Sequence, residues 1–363
     1  MSPSQPSRRR KRAGLIRPSG DIATDPFKER PGGLLRLHRQ VLGCAFEFTT
    51  ESPQLMRLVR WAYDGLPRHR LSAPPARIAL RLTLGGRMPA EGARGAQVHA
   101  ADEPGPFAMA SAPGLLCAAS DCSTVAVISP GERTALISVA RELLQFPYHL
   151  RYELIELAVF TLAARVQGLM PLHAACVGRG SRGLLLIGDS GAGKSTAVLH
   201  CALQGLELIS EDSLFVAPQS LLATGVANFL HVREESLRFL SAADARFIRH
   251  APTIRRRSGV EKFEVDLRQP RFRLAPRSPR IVAVVALSAA RAGSEPLLTP
   301  IARGEALARL RASQPYAASQ PGWGRFATRI RALPAFELRR GRHPREAVAA
   351  LEGVLRGDVA APR

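Results

Sequence analysis

The sequence predicts an α/β protein: a P-loop catalytic domain over residues 151–363, preceded by a small α+β domain over 34–150 and a basic tail over 1–33. Three observations carry this expectation. Leu184-Leu185-Leu186-Ile187 reads as a buried strand that runs through a glycine-rich turn into an apolar helix start, Ala197-Val198-Leu199. Ile78, Leu80, Leu82 and Leu84 alternate with Arg77, Ala79, Arg81 and Thr83, the period of a half-buried strand. Leu206, Leu208 and Ile209 mark a third strand, which ends in two carboxylates, Glu211 and Asp212.

Composition narrows the class. A hydrophobic fraction of 46% supports a real core, while 6% aromatic residues argue against base stacking and hence against a nucleic-acid partner. The net charge of +21 points to anionic partners, or to Arg-rich drift in composition. Cys44, Cys117, Cys122, Cys176 and Cys201 form no C-x-x-C pair, and no apolar stretch follows the basic N-terminus as a signal peptide would require. Reduced thiols and a cytoplasmic location are therefore expected. The most apolar stretch, 154–170, is interrupted by Glu156 and Arg165 and is too short to span a bilayer.

In chain order, residues 1–33 are rich in Pro, Ser, Gly and Arg, include the run Arg8-Arg9-Arg10-Lys11-Arg12, and read as a disordered tail. Residues 42–48 read as a strand. Ser52-Pro53 starts a helix with Leu55, Leu58, Val59 and Ala62 on one face. Residues 85–106 read as a loop, and 107–110, 115–118 and 124–129 as three short strands. His38 and His69 sit among arginines and are expected on the surface. Residues 134–145 and 149–169 read as helices broken at Pro147, the second buried between the domains. Residues 172–178 and 184–187 then form an antiparallel hairpin that feeds the glycine loop and carries His173.

The loop is Gly188-Asp189-Ser190-Gly191-Ala192-Gly193-Lys194-Ser195-Thr196, matching G-x-x-x-x-G-K-[ST]. Its glycines let the backbone curl so that amides and a helix N-terminus face phosphate oxygens. Lys194 is expected to neutralise the β- and γ-phosphates of ATP, and the Ser195 hydroxyl to ligate Mg²⁺. Lys and Arg together number 51, of which four are lysine, so a lysine kept here suggests that a compact point charge is required. The acids follow Lys194 closely, and the later apolar strand, 281–287, carries none. Glu211 and Asp212 are thus the candidates for metal and proton chemistry.

His173, the loop and the Ser210-Glu211-Asp212 run together resemble the catalytic domain of the HPr kinase/phosphorylase family, itself similar to phosphoenolpyruvate carboxykinase. That family carries a histidine on a strand shortly before the loop and Ala-Asp-Asp after the next strand. The resemblance, over about 170–290, implies that Lys194 and Ser195 hold phosphates and Mg²⁺. It implies that Asp212 is the base and a metal ligand, and that His173 lies against Glu211. Glu211 replaces the first Asp, and Thr196 stands where bifunctional enzymes have Glu. The better match is the looser class of HPr-kinase-like proteins, some resembling kinases of peptide-modification clusters.

Downstream, Arg233 follows a strand, and Arg255-Arg256-Arg257 with Lys262 forms a basic loop suited to a triphosphate or an acidic acceptor. Helices are expected near 304–312 and from His343-Pro344 to Val354, a strand over 335–338, and packing roles for Trp323 and Phe326. The expected function is an ATP- and Mg²⁺-dependent kinase acting on a serine of a small protein or peptide, its N-terminal domain choosing the acceptor or driving oligomerisation. The alternatives are a small-molecule P-loop kinase, a nucleotide-gated regulatory protein that binds nucleic acid, and a degenerate kinase that only binds ATP.

Overall fold

A computed structural model describes residues 33–71, 73–85, 104–120, 123–189 and 191–358. The basic tail and most of the 85–106 loop lie outside these residues. The described chain is a mixed α/β fold whose sheets combine parallel and antiparallel strands. No described helix is long and apolar enough to cross a membrane. Cys44, Cys117, Cys176 and Cys201 are free thiols.

The first sheet begins with β1 (Leu35–Val41) and β2 (Cys44–Thr50). They join through Leu42 and Gly43, at φ 51° and 78°. The single strand expected over 42–48 is therefore the turn and second arm of a tight hairpin. Helix α1 (Pro53–Tyr63) starts as expected, with the Ser52 hydroxyl accepting from the Leu55 amide. Strands β3 (Arg77–Gly85), β4 (Phe107–Ala112), β5 (Leu115–Ser120), β6 (Thr124–Ser129) and β7 (Thr134–Ala140) complete the order β1-β2-β3-β7-β6-β5-β4.

β7 replaces most of the helix expected over 134–145, and only Arg141–Gln145 is helical, as a 3₁₀ turn. Ala135, Ile137 and Val139 are buried while Thr134 and Leu136 face out, which is a period of two. Pairing with β3 on one side and β6 on the other overrides the helix-forming Ala and Leu content.

Pro147 opens a helix rather than breaking one. A single turn, α2 (Pro147–His149), runs through π-helical Leu150–Ile155 into α3 (Glu156–Gln167), which stops at Gly168 with φ 61°. Leu154, Ile155, Val159 and Leu162 share one core with Phe48, Leu82 and Ile137 of the sheet. In energetic terms this is what fastens the helical segment: each fully buried aliphatic side chain contributes roughly 1.5–3 kcal/mol.

Strands β8 (Met170–His173), β9 (Ala175–Arg179) and β10 (Arg182–Ile187) follow. The hairpin expected here exists as β9 and β10, with Leu184 opposite Val177. Its first residues separate off as β8, so His173 is not on the hairpin. Next come α4 (Lys194–Leu203), β11 (Glu207–Ser210), β12 (Ser213–Val216), β13 (Ala223–Gly225) and β14 (Phe229–Val232). Then follow α5 (Ala242–Arg249), β15 (Thr253–Arg255), β16 (Glu261–Asp266), β17 (Arg273–Leu274), β18 (Arg280–Arg291) and β19 (Leu298–Pro300).

Helices α6 (Arg303–Ser313), α7 (Pro315–Ala318) and α8 (Trp323–Arg331), strand β20 (Ala335–Arg340) and helix α9 (Pro344–Arg356) end the fold. The sequence reading anticipated α6, β20 and α9. It missed α8, whose Phe326 and Ile330 are buried one turn apart. The second large sheet runs β17-β11-β9-β10-β18-β20-β19. At its centre β10, β18 and β20 are parallel. One of its faces packs with α4 and α9, the other with α6 and α8. A site at the carboxyl ends of such strands is the expected geometry of an open α/β sheet.

The two halves of the chain are stitched by buried polar contacts. His69, expected at the surface, is buried, its ring bonded to Thr224 Oγ1 and the Ala275 carbonyl, both at 2.9 Å. Its arginine neighbours in sequence give no hint of partners that distant. His38 is exposed, as expected.

Candidate active site

The glycine loop leaves the buried end of β10 and closes on the N-terminus of α4. A Cβ at Gly188 would lie 2.9 Å from the Leu287 carbonyl oxygen, so the loop begins where strand β18 leaves no room for a side chain. Gly193 caps α4 at φ 104°, a conformation that L side chains rarely adopt. The loop is tightened by the Ala192 amide donating to the Asp189 carbonyl at 3.0 Å. Ser190 lies outside the described residues.

Lys194 is buried, and its ammonium donates to the Gly188 carbonyl at 2.6 Å. Arg340, from the end of β20, donates to the Gly191 carbonyl. Thr196 Oγ1 is 3.3 Å from Ser236 Oγ, tying α4 to the 3₁₀ turn Glu234–Phe239.

The two acids occupy the short turn between β11 and β12 and divide their contacts. Glu211 is buried and accepts from the Ser195 hydroxyl at 2.5 Å. Asp212 lies further out and holds His173 Nδ1 at 2.9 Å, with side-chain exposures of 24% and 60%. The expected contact of His173 with Glu211 is thus corrected: its partner is Asp212. The cause is strand pairing, since β8 runs antiparallel to β12 with His173 opposite Ser213, which brings the residue before Ser213 to the imidazole. Gln314 fixes this strand end from the other side. Its amide accepts from the His173 N–H at 2.8 Å and donates to the His173 carbonyl at 2.9 Å.

Electrostatics separate the acids further. Burial, reinforced by the charge of Asp212, pushes the Glu211 carboxyl above its ordinary range, against the hydrogen bond from Ser195. Burial also acts upward on Asp212, but the His173 hydrogen bond and the charges of His173, Arg256 and Lys194 outweigh it. Asp212 is held below its ordinary value.

His173, Lys194, Ser195, Glu211 and Asp212 all line one cavity of about 860 Å³, within the size range of small-molecule sites. Nine Lys and Arg line it against four Asp and Glu. Arg233, Arg256 and Lys262, singled out in the sequence, are among the nine. Among the described residues, no three His, Cys, Asp or Glu side chains gather into a metal site. The oxygen donors Ser195, Glu211 and Asp212 would suit Mg²⁺, which takes few protein ligands and completes its shell from phosphates and water.

Sequence reasoning missed the wall behind the cavity. His231 lines it, and its Nε2 lies 3.3 Å from Glu264. Glu264 pairs with Arg151, which also pairs with Glu156 at 2.6 Å; all three are buried. The Arg151 guanidinium sits over the rings of Trp61 and Phe229, 4.9 and 4.5 Å from their centroids. Asn228 donates to Glu156 and to the Ala62 carbonyl of α1. A signal did exist: Arg151 and Glu156 stand in or beside the most apolar stretch of the chain, where a charge needs a partner. For Gln314 there was none. The chain matches no family model and no curated protein.

Proposed function

We propose that the protein is an ATP- and Mg²⁺-dependent kinase of the HPr-kinase-like kind, transferring the γ-phosphoryl group to a hydroxyl, most simply a serine of a peptide or small protein. The observation that carries this reading is the convergence on one cavity of a P-loop lysine and serine, a buried acid on that serine, and a second acid paired with a histidine. Three separate segments, the end of β8, the start of α4 and the β11–β12 turn, supply these groups, and a glycine turn that only resembles a phosphate loop would not bring the others with it.

Each group has work to do. The loop amides and Lys194 would hold the phosphates, with Lys194 leaving the Gly188 carbonyl for them. Ser195, with an acid of the pair, would hold Mg²⁺, which when bound supplies neutralising charge at the β- and γ-oxygens. Asp212, the more exposed acid, faces the acceptor. The acceptor oxygen forms its bond to the γ-phosphorus as the bond from that phosphorus to the β–γ bridging oxygen breaks. ADP departs with the electron pair, and the acceptor proton passes to Asp212. His173 keeps the Asp212 carboxylate ionised and aimed, and Gln314 keeps His173 in place.

Two substitutions test the reading by doing different things. Lys194→Ala should weaken MgATP binding about a hundredfold or more. Asp212→Asn should leave nucleotide binding nearly intact and slow transfer by about 10²–10⁴-fold. Parental transfer rates in Asp212→Asn, measured with radiolabelled ATP, would remove Asp212 from the base role.

A further inference from the structure

The cavity carries two groups of cations, and only one is needed by the nucleotide. In the first, Lys194 and Arg340 rest on carbonyls of the glycine loop, Gly188 and Gly191. The second group is Arg233, just after β14, and Arg256 and Lys262, on the β15–β16 hairpin. The hairpin register explains why the last two meet. Lys262 is opposite Ile254, and Arg256, two residues on from Ile254, shares that face. The Arg256 amide bonds to the Val260 carbonyl at 3.0 Å and closes the turn.

Among the described residues none of these three cations makes an ion pair, whereas the neighbouring Arg257 is paired with Glu153 at 2.6 Å. The Nε of Arg256 is buried with no hydrogen-bond partner. Burial first, and then the Arg256 charge, lowers the pKa of Lys262, and Arg233 adds to the repulsion. The cluster lies within charge range of the acids: Lys262 interacts with both Glu211 and Asp212, and Arg256 with Asp212. Those acids are already engaged, by Ser195 and His173. Nine cations against four acids line the whole cavity, an excess that a triphosphate partly neutralised by Mg²⁺ leaves standing.

We infer that the acceptor presents an anionic group, carboxylate or phosphate, beside the hydroxyl that is phosphorylated, and that Arg233, Arg256 and Lys262 hold it. This specificity rests on the kinase reading. Two partly desolvated cations forced together, one of them with an unsatisfied guanidinium N–H, gain most from an anion that bridges them. The site selects for charge next to the reacting oxygen and disfavours basic acceptors.

The experiment uses the full chain and two arms. In the binding arm, fluorescent peptides with alanine at the acceptor position and flanks of Asp/Glu, Asn/Gln or Lys/Arg are titrated, by anisotropy, into protein loaded with a non-hydrolysable ATP analogue. Glycerol, glycerate and glycerol 3-phosphate compete as the small-molecule series. In the turnover arm, the serine versions of the peptides and the same three small molecules are offered with Mg²⁺ and radiolabelled ATP. The acidic-flanked peptide, or the two anionic glycerol derivatives, should bind about tenfold or more tighter than the neutral member of its series. The double variant Arg256→Met/Lys262→Met should erase that preference and raise the acceptor KM rather than lower kcat.

Anion preference confined to peptides, or confined to small molecules, assigns the source. Equal binding of neutral and anionic members in both series overturns the inference. So does a double variant that weakens every acceptor alike. Anion-selective binding with no labelled product upholds the subsite and sinks the kinase reading. Labelling without charge preference does the reverse.

Discussion

Arg151 and Arg256 carry the same guanidinium, and the fold treats them in opposite ways. Arg151 is enclosed by Glu156, Glu264, Trp61 and Phe229. Among the described residues, Arg256 lines the cavity beside Lys262 with no carboxylate paired to it. The first arrangement joins the N-terminal half to the cavity wall through His231. The second leaves charge without a partner where a ligand would arrive. In a chain this rich in arginine, the informative question about any one of them is which acid answers it.

The contrast predicts opposite responses to the same change. Arg151→Met should cost about 3–5 kcal/mol of stability, because it strands Glu156 and Glu264 in the interior. A urea midpoint close to that of the parent chain would break the comparison at its structural side. Next in size is the acid response of the buried histidines. His200 is buried, and burial, then the charges of His343 and Arg345, lowers its pKa from 6.5 to about 4. The unfolded chain takes up this proton first. The stabilisation from keeping His200 neutral is therefore full above about pH 6.5 and is lost as pH falls toward 4. His69 is shifted the same way, by burial against a weaker pull from the Ala275 carbonyl. Denaturation at stepped pH should show stability declining across that window, and His200→Gln should flatten the decline. A histidine without an acid can shed its charge; an arginine cannot.

The smallest expected effect belongs to Arg256 and Lys262. Arg256→Met and Lys262→Met should shift the stability of the ligand-free protein by no more than about 0.5 kcal/mol, since no partner is orphaned. Inorganic tripolyphosphate should raise the parental Tm more than that of the double variant, as differential binding requires. A large loss of stability in either variant would mean that the trio is structural after all.

How much of this the sequence disclosed depends on how local the information was. The strand, loop and helix around Lys194 are contiguous, so their local structure could be read directly, and so could the capped starts of α1 and α9. The strand-to-turn position of the acid pair was legible, but the different contacts of Glu211 and Asp212 were not. That difference depends on β8 leaving the hairpin to pair with β12, a choice made by residues forty positions apart. Residues 134–145 misled because Ala and Leu satisfy a helix as well as a strand, and only two neighbouring strands decide between them. Gln314, whose amide holds both the N–H and the carbonyl of His173, carries no mark in the sequence at all.

The bonds of His69 to Thr224 and Ala275 have a consequence for biosynthesis. The imidazole waits through 206 further residues for its second acceptor, so a nascent chain emerging from the ribosome buries or exposes that ring unmatched until strand β17 has been made. Fragments ended before Ala275 would keep the whole first sheet yet lack the bond that seals it, and proteases should find them before they find the finished protein.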